Sequence, residues 1–217
     1  ITIEWMQELN KAIDHIAATP EIKGCVVASG KPDSFSGGAD LTMLQATGLQ
    51  YAKMAKAEGE EKAMAFFFEQ TSALSRLFRK LETCGKPFAA AIHGVCMGGA
   101  FELALSCHHR VASDSDRTRL GLPEIKVGLF PGAGGTQRVP RLMQTGDALQ
   151  MLFKGDQIRP AAARGMGLIH QVVPQDRIIE TAKAWIKAGG SAKQPWDTEG
   201  YKQKSTRLNS SHLVISY

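Results

Sequence analysis

Four short apolar runs, kept far apart along the chain, constrain this sequence more than any other feature. They are IKGCVVASG (22–30), KPFAAAIHGVC (86–96), HRVAS (109–113) and GLIHQVVP (167–174). The first is β-branched and ends at Gly30, the second is entered through Pro87, and both read as buried strands. Helical spacing fills the intervals. Ile3, Met6, Leu9, Ile13 and Ile16 share one face over 3–18. Residues 46–82 read as one long helix with Phe66, Phe67 and Phe68 on or near its core face. Further helices are expected over 99–107, after Gly135, and over 145–153, 160–166 and 176–188. Strands alternating with helices predict an α/β domain with largely parallel pairing. Between them, 31–41 reads as a loop and 120–142 as loop-rich.

The domain is expected to occupy residues 1–188. The stretch 189–204, which includes GGSAKQPWDTEG, is linker-like. The last thirteen residues, STRLNSSHLVISY (205–217), break from the composition before them. They resemble a vector read-through and are expected to be a non-native tail. The chain opens directly in a helical pattern without Met, so the N-terminus is expected to be cut from something longer.

Charge and cysteine usage narrow the class. With 26 basic and 21 acidic residues the net charge is +5, and no five like charges run together. A nucleic-acid partner is therefore not indicated, while a small polyanionic ligand is compatible. Cys25, Cys84, Cys96 and Cys107 form no CxxC pair and read as reduced thiols of a cytosol-like, cytoplasmic compartment. No apolar run approaches the length of a membrane span.

Three glycine-rich loops follow strands or turns: FSGGAD (35–40), CMGGA (96–100) and PGAGGT (131–136). One such loop says little, but three suggest a single ligand met from several sides. None is a dinucleotide fingerprint, because Gln137 stands where GxGxxG needs its last glycine, and GxxxxGK[ST] is absent. Gly98-Gly99 opens a helix, whose first N–H groups have no partner within it and can hold a developing negative charge.

Glu102 lies one turn beyond Gly99, between Phe101 and Leu103-Ala104-Leu105. A carboxylate on an apolar helix must be paired, protonated or functional. Arg110 is the partner to expect if it is only a buried ion pair. Glu124 follows Pro123 among Leu120, Leu122, Ile125 and Val127. An isolated loop acid is usually solvated. Two carboxyls in apolar settings near a helix N-terminus suit general acid–base work. Cys107-His108-His109 cannot readily converge on one metal from a helix end, so no metal is expected.

In order along the chain, SFSGGADL, HGVCMGGAFELALSC, LGLPEIKVGLFPGAGGTQRVPRL and GLIHQVVP resemble the crotonase superfamily, enoyl-CoA hydratase branch, over about residues 1–188. The spacer between the two acids is most similar to the hydratase half of bacterial multifunctional fatty-acid oxidation α subunits, in which a hydroxyacyl-CoA dehydrogenase follows. The resemblance implies a ClpP-like spiral of ββα turns with largely parallel sheets and a helical C-terminal part, here truncated at both ends.

It also implies roles. The amides of Ala39 and Gly99 would hold a thioester oxygen as the enolate forms. Glu102 would activate water, and Glu124 would exchange a proton at the α carbon. Ser36, Gly37, Gly38, Asp40 and Leu41 would hug the coenzyme A side of the substrate, with Gly98, Pro131 and Gly132 nearby and Lys31 as a phosphate contact. Asp33 and Ser34 stand where the family usually carries a lysine, and Ala100-Phe101 departs from its commoner glycine run. The expected reaction is hydration of a trans-2-enoyl-CoA to a 3-hydroxyacyl-CoA, with coenzyme A as part of the substrate and no separate cofactor. The expected state is an oligomer, in the parent protein together with a thiolase subunit. Isomerisation of Δ3 to Δ2 enoyl-CoA is the alternative within the enzyme class. A non-catalytic, RNA-binding relative is the alternative outside it, disfavoured because both acids and the glycine loops remain.

Overall fold

The computed structural model describes residues 1–201. Seven strands form two parallel sheets. Strands β1 (Cys25–Ala28), β3 (Phe88–Ile92), β5 (His109–Ser113) and β7 (Gln171–Val173) make the first, in the order β1-β3-β5-β7. Strands β2 (Ser34–Ser36), β4 (Val95–Met97) and β6 (Arg119–Gly121) make the second, in the order β2-β4-β6. Three successive turns of chain each lay one strand in each sheet, and β7 adds a fourth to the first, which is the ββα spiral that the sequence resemblance implies.

Eight α-helices complete the described residues: α1 (Ile3–Ala18), α2 (Leu41–Glu58), α3 (Glu60–Thr83), α4 (Gly99–Ser106), α5 (Gly135–Leu142), α6 (Thr145–Lys154), α7 (Pro160–Gly165) and α8 (Ile178–Lys187). Thr2 caps α1 by accepting from Trp5 N at 3.3 Å, and its apolar stripe buries Ile13 completely. None of the helices is long and apolar enough to cross a membrane.

Strand β3 shows why the layers form. All five residues of FAAAI are buried, and they alternate. Ala89 and Ala91 pack with Ile178 and Ala182 of α8 on one face, while Phe88, Ala90 and Ile92 join the main core on the other. The small alanines bring α8 close to the sheet. On the opposite side α4 is buried along all eight residues, which is why its sequence is apolar all round rather than striped.

Several boundaries differ from the sequence expectation. The run 86–96 is two strands in different sheets, because the chain corners at Gly94. That residue has φ 58°, and a Cβ there would collide with the backbone of Asp33. The long helix over 46–82 is α2 and α3, and α2 begins earlier, capped at Leu41 by Asp40 and ended at Gly59. The loop 31–41 contains β2, and a short strand, β6, precedes the loop-rich 122–134. The strand in 167–174 shrinks to Gln171–Val173.

The linker-like segment is docked as far as the structure describes it. Gln194 is buried and donates Nε2–H to Ser106 O at 2.8 Å, Asp197 pairs with Arg79, and the Tyr201 hydroxyl donates to Arg141 O at 2.9 Å. Two of these side chains bond backbone carbonyls, Asp197 bonds a guanidinium, and Trp196 packs against the core. The expected non-native tail, 205–217, lies outside the described residues.

Candidate active site

Glu102 and Glu124 face one cavity of about 750 Å³. Ala39, Gly99, Gly132 and Ala133 line it beside the two acids, and Met43, Leu74 and Phe130 are among the apolar residues that form its walls.

Glu102 is only 2 % exposed. Its Oε1 accepts two backbone hydrogen bonds, from Ala133 N at 2.8 Å and Gly135 N at 2.7 Å. Gly135 opens α5, so its N–H has no partner inside the helix and sits at the electropositive end. A side chain at this position would have no room: its Cβ would stand 2.9 Å from Leu122 Cδ1 and 3.0 Å from Glu102 Oε1. With Oε1 occupied, Oε2 is the oxygen left to meet a ligand. Burial pushes the carboxyl up to about 7, the nearby Glu124 adds to this, and the two amides and Arg138 oppose it. Near neutral pH the group can therefore give or take a proton. Arg110 is not its partner. That buried guanidinium donates instead to the carbonyls of Leu168, Cys107 and Leu105.

Glu124 begins the 3₁₀ turn Glu124–Val127, directly after Pro123. A Cβ built on Gly98 would stand 3.2 Å from its Oε1, so the glycine leaves room for the carboxyl beside the start of α4. Its Oε2 is buried and has no hydrogen-bond partner among the described residues. Burial raises its pKa. A buried, unpartnered carboxyl oxygen at a cavity is a group that a ligand would complete.

The two glycine loops meet at the same end. Gly38 has φ 104°, and a Cβ on it would lie 2.8 Å from Met97 O and 3.3 Å from Gly99 N, so only glycine permits this approach. A Cβ on Gly99 would stand 3.7 Å from Ala39 N. The Ala39 and Gly99 amides thus lie side by side, and neither donates to a backbone acceptor among the described residues. Two such donors can hold one oxyanion.

The remaining expected site residues divide. Ser36 accepts from Gly38 N at 3.3 Å and so braces the loop. Asp40 caps α2, accepting from Thr42 N and Met43 N, which holds its carboxyl below the usual range. Gly98 donates to Gly121 O at 2.9 Å, and Pro131 packs beneath Gly135. Gly37 and Leu41 are exposed. Lys31 does not reach the cavity of the two acids. With Ser36 it lines a second one of about 480 Å³, and its carbonyl accepts from the His93 ring.

Sequence reasoning missed Glu82, Arg138 and the amides of Ala133 and Gly135. Glu82 offered the same signal as Glu102: it lies four residues after the buried Phe78 and next to the buried Leu81, an acid on an apolar helix face.

The chain is similar to known proteins over most of its length. Residues 1–194 match the family model described as enoyl-CoA hydratase/isomerase. The fatty acid oxidation complex subunit alpha of Shewanella putrefaciens is 45% identical over 188 residues, covering 87% of this chain and 25% of that protein. Its counterpart from Shewanella frigidimarina is also 45% identical, over 87% of this chain and 24% of that protein. The chain thus spans about a quarter of the length of these relatives. Among solved structures, an enoyl-CoA hydratase from Bacillus anthracis superposes with a TM-score of 0.71 at 28% identity, over 87% of this chain and 66% of that one. One from Geobacillus kaustophilus gives 0.72 at 30% identity, over 87% and 65%. The spiral is the crotonase fold, and the chain belongs to the enoyl-CoA hydratase/isomerase family.

Proposed function

We propose that this domain adds water across the double bond of a trans-2-enoyl-CoA thioester. The observation that carries the reading is the convergence of two carboxyls with raised pKa and two unpartnered backbone amides on one cavity. The thioester carbonyl would accept from Ala39 N–H and Gly99 N–H. As water adds at the β carbon, charge grows on that oxygen, and the fixed amides stabilise it without reorganising. Glu102, its Oε1 held by two amides, would present Oε2 to water and take its proton. Glu124, with its unpartnered oxygen, would deliver a proton to the α carbon. Burial lifts Glu102 to about 7, where it can change state near neutral pH, and raises Glu124 in the same direction.

Isomerisation of a 3-enoyl-CoA is the second reading. It needs the same oxyanion site but shuttles a proton, so a single acid could suffice. Two acids favour hydration, and the family includes both activities by name. The relatives' printed name, fatty acid oxidation complex subunit alpha, supports a domain that works as part of a larger complex. Lys31 would contact phosphates only in a ligand that extends from the main cavity to the second one.

The test is turnover of crotonyl-CoA, followed as loss of its enoyl absorbance, beside conversion of a 3-enoyl-CoA and filter binding of RNA. Hydration is expected to be the faster reaction and RNA retention to be at background. Calorimetry should show acetoacetyl-CoA binding and no NAD binding. RNA binding without hydration, or NAD binding tighter than acetoacetyl-CoA, would overturn the assignment.

A further inference from the structure

Behind Glu102 lies a buried ion pair that the proposed chemistry does not use directly. Arg138, on the first turn of α5, is 6 % exposed, and Glu82, near the end of α3, is 2 % exposed. Their contact is a two-pronged fork: Arg138 Nε donates to Glu82 Oε1 at 2.7 Å and Nη2 to Oε2 at 3.0 Å. The third prong reaches the site. Arg138 Nη1 donates to Ala133 O at 2.8 Å, while the N–H of that same Ala133 donates to Glu102 Oε1. Between them, Gly134 wraps so closely over the guanidinium that a Cβ there would collide with it. Loop 131–135 is therefore folded around the Arg138 head group, and the two amides that grip Glu102 belong to that loop.

The pair is itself anchored. Glu82 Oε2 also accepts from Arg79 Nη1 at 3.1 Å, and Arg79 clasps Asp197 at 2.6 and 2.8 Å. The carbonyl of Glu82 accepts from His108 Nε2, whose Nδ1 accepts from Phe88 N. That fixes the neutral tautomer of the ring. Burying two charges is costly, and an apolar pair of similar volume often serves stability equally well. Stability alone therefore does not account for this arrangement. What an apolar pair could not do is hold the Ala133 carbonyl and set a positive charge beside Glu102. The charged groups acting on Glu102 are Glu124, from the turn that follows β6, and Arg138, from α5. Beyond Arg138 stand Glu82, Arg79 and Asp197.

We propose that Arg138, held in place by Glu82, is a positioning residue that clamps the Ala133 and Gly135 amides onto Glu102 Oε1 and so aims Oε2 at the cavity. The proposal rests on the hydratase reading and adds to it a residue that touches no substrate. It explains why α5 begins in a glycine run: the loop must close over a guanidinium and under a carboxylate at once.

The test compares the full chain with the double variant Glu82→Gln/Arg138→Gln and the single variant Arg138→Lys. The double variant leaves no buried charge unpaired. Melting, kcat and KM for crotonyl-CoA hydration, the pH profile of kcat, and 3-enoyl-CoA isomerisation are measured on each. In the folded double variant KM should hold and hydration kcat should fall roughly 10²-fold, the scale of a small misplacement of a catalytic group. The acid limb of the profile should move to higher pH, because a cation favouring ionised Glu102 has gone. Isomerisation should fall less than hydration. Arg138→Lys keeps the charge but loses the fork, so kcat should fall while the limb stays. If the double variant does not fold, Arg138→Lys decides alone. Wild-type kcat in either folded variant, or a loss that tracks the melted fraction and strikes both reactions equally, would overturn the proposal. A wild-type chain that fails to hydrate crotonyl-CoA would instead overturn the functional reading beneath it.

Discussion

Glu102→Gln should make the chain more stable at alkaline pH. The buried carboxyl is pushed from 4.5 to about 7. Below pH 4.5 it holds its proton whether the chain is folded or not, and ionisation costs nothing. Between pH 4.5 and about 7 the unfolded chain releases the proton while the folded chain retains it, so stability falls as pH rises. Above about pH 7 the cost is constant. At about 1.4 kcal/mol per pKa unit, it amounts to roughly 3 kcal/mol. The group is almost wholly buried, so solvent screening removes little of this. Glutamine keeps an oxygen to accept from Ala133 N and Gly135 N and carries no charge. The variant should therefore gain about 3 kcal/mol over the wild type at pH 8 and almost nothing at pH 4.5. For a domain of this size that corresponds to roughly 6–12 °C in melting temperature. Paired thermal melts of both proteins across that pH range would show it. No gain at pH 8, or the same gain at both ends, would refute the account of how this carboxyl is held.

Other outcomes follow from the same geometry. Glu124→Gln should lower 3-enoyl-CoA isomerisation more than Glu102→Gln does, because only the α-carbon acid is common to both reactions; paired rate assays read the difference. Gly135→Ala should cost about 1–3 kcal/mol through overpacking and lower hydration at least roughly 10-fold by shifting the amide off Glu102, as melting and turnover on one sample would report. Deleting residues 205–217 should leave unfolding free energy unchanged within about 0.5 kcal/mol, the size of an ordinary surface change, by denaturant titration.

The residues that sequence reasoning located are those whose chemistry conflicts with their setting. Glu102 stands out because an acid interrupts LALS-type helix packing, and Gly98-Gly99 because two glycines open a helix. The same test applied to Glu82 would have flagged it, but its partner Arg138 sits in a polar-looking stretch, TQRVPR, where a buried arginine leaves no mark. Helical spacing found α1 and α8 but ran α2 and α3 together, and apolar runs found β1, β3, β5 and β7. They did not reveal β2 or β6, which lie among turn formers, and β4 was merged with β3, because the corner at Gly94 is set by contact with Asp33, far away in sequence. The amides on Glu102 were also illegible. A backbone donor has no side chain, and its place depends on a loop folding around Arg138.

The central claim is that Glu102 and Glu124 are paired acid–base groups acting on a thioester held at the Ala39 and Gly99 amides. The most direct measurement is crotonyl-CoA hydration per folded molecule by Glu102→Gln and by Glu124→Gln, with acetoacetyl-CoA affinity measured alongside. Each variant should lose roughly 10²–10⁴-fold in turnover, the usual worth of general acid–base catalysis, while binding the thioester as the wild type does, since the amides are untouched. Near-wild-type hydration by either folded variant would remove that glutamate from the mechanism and contradict the account.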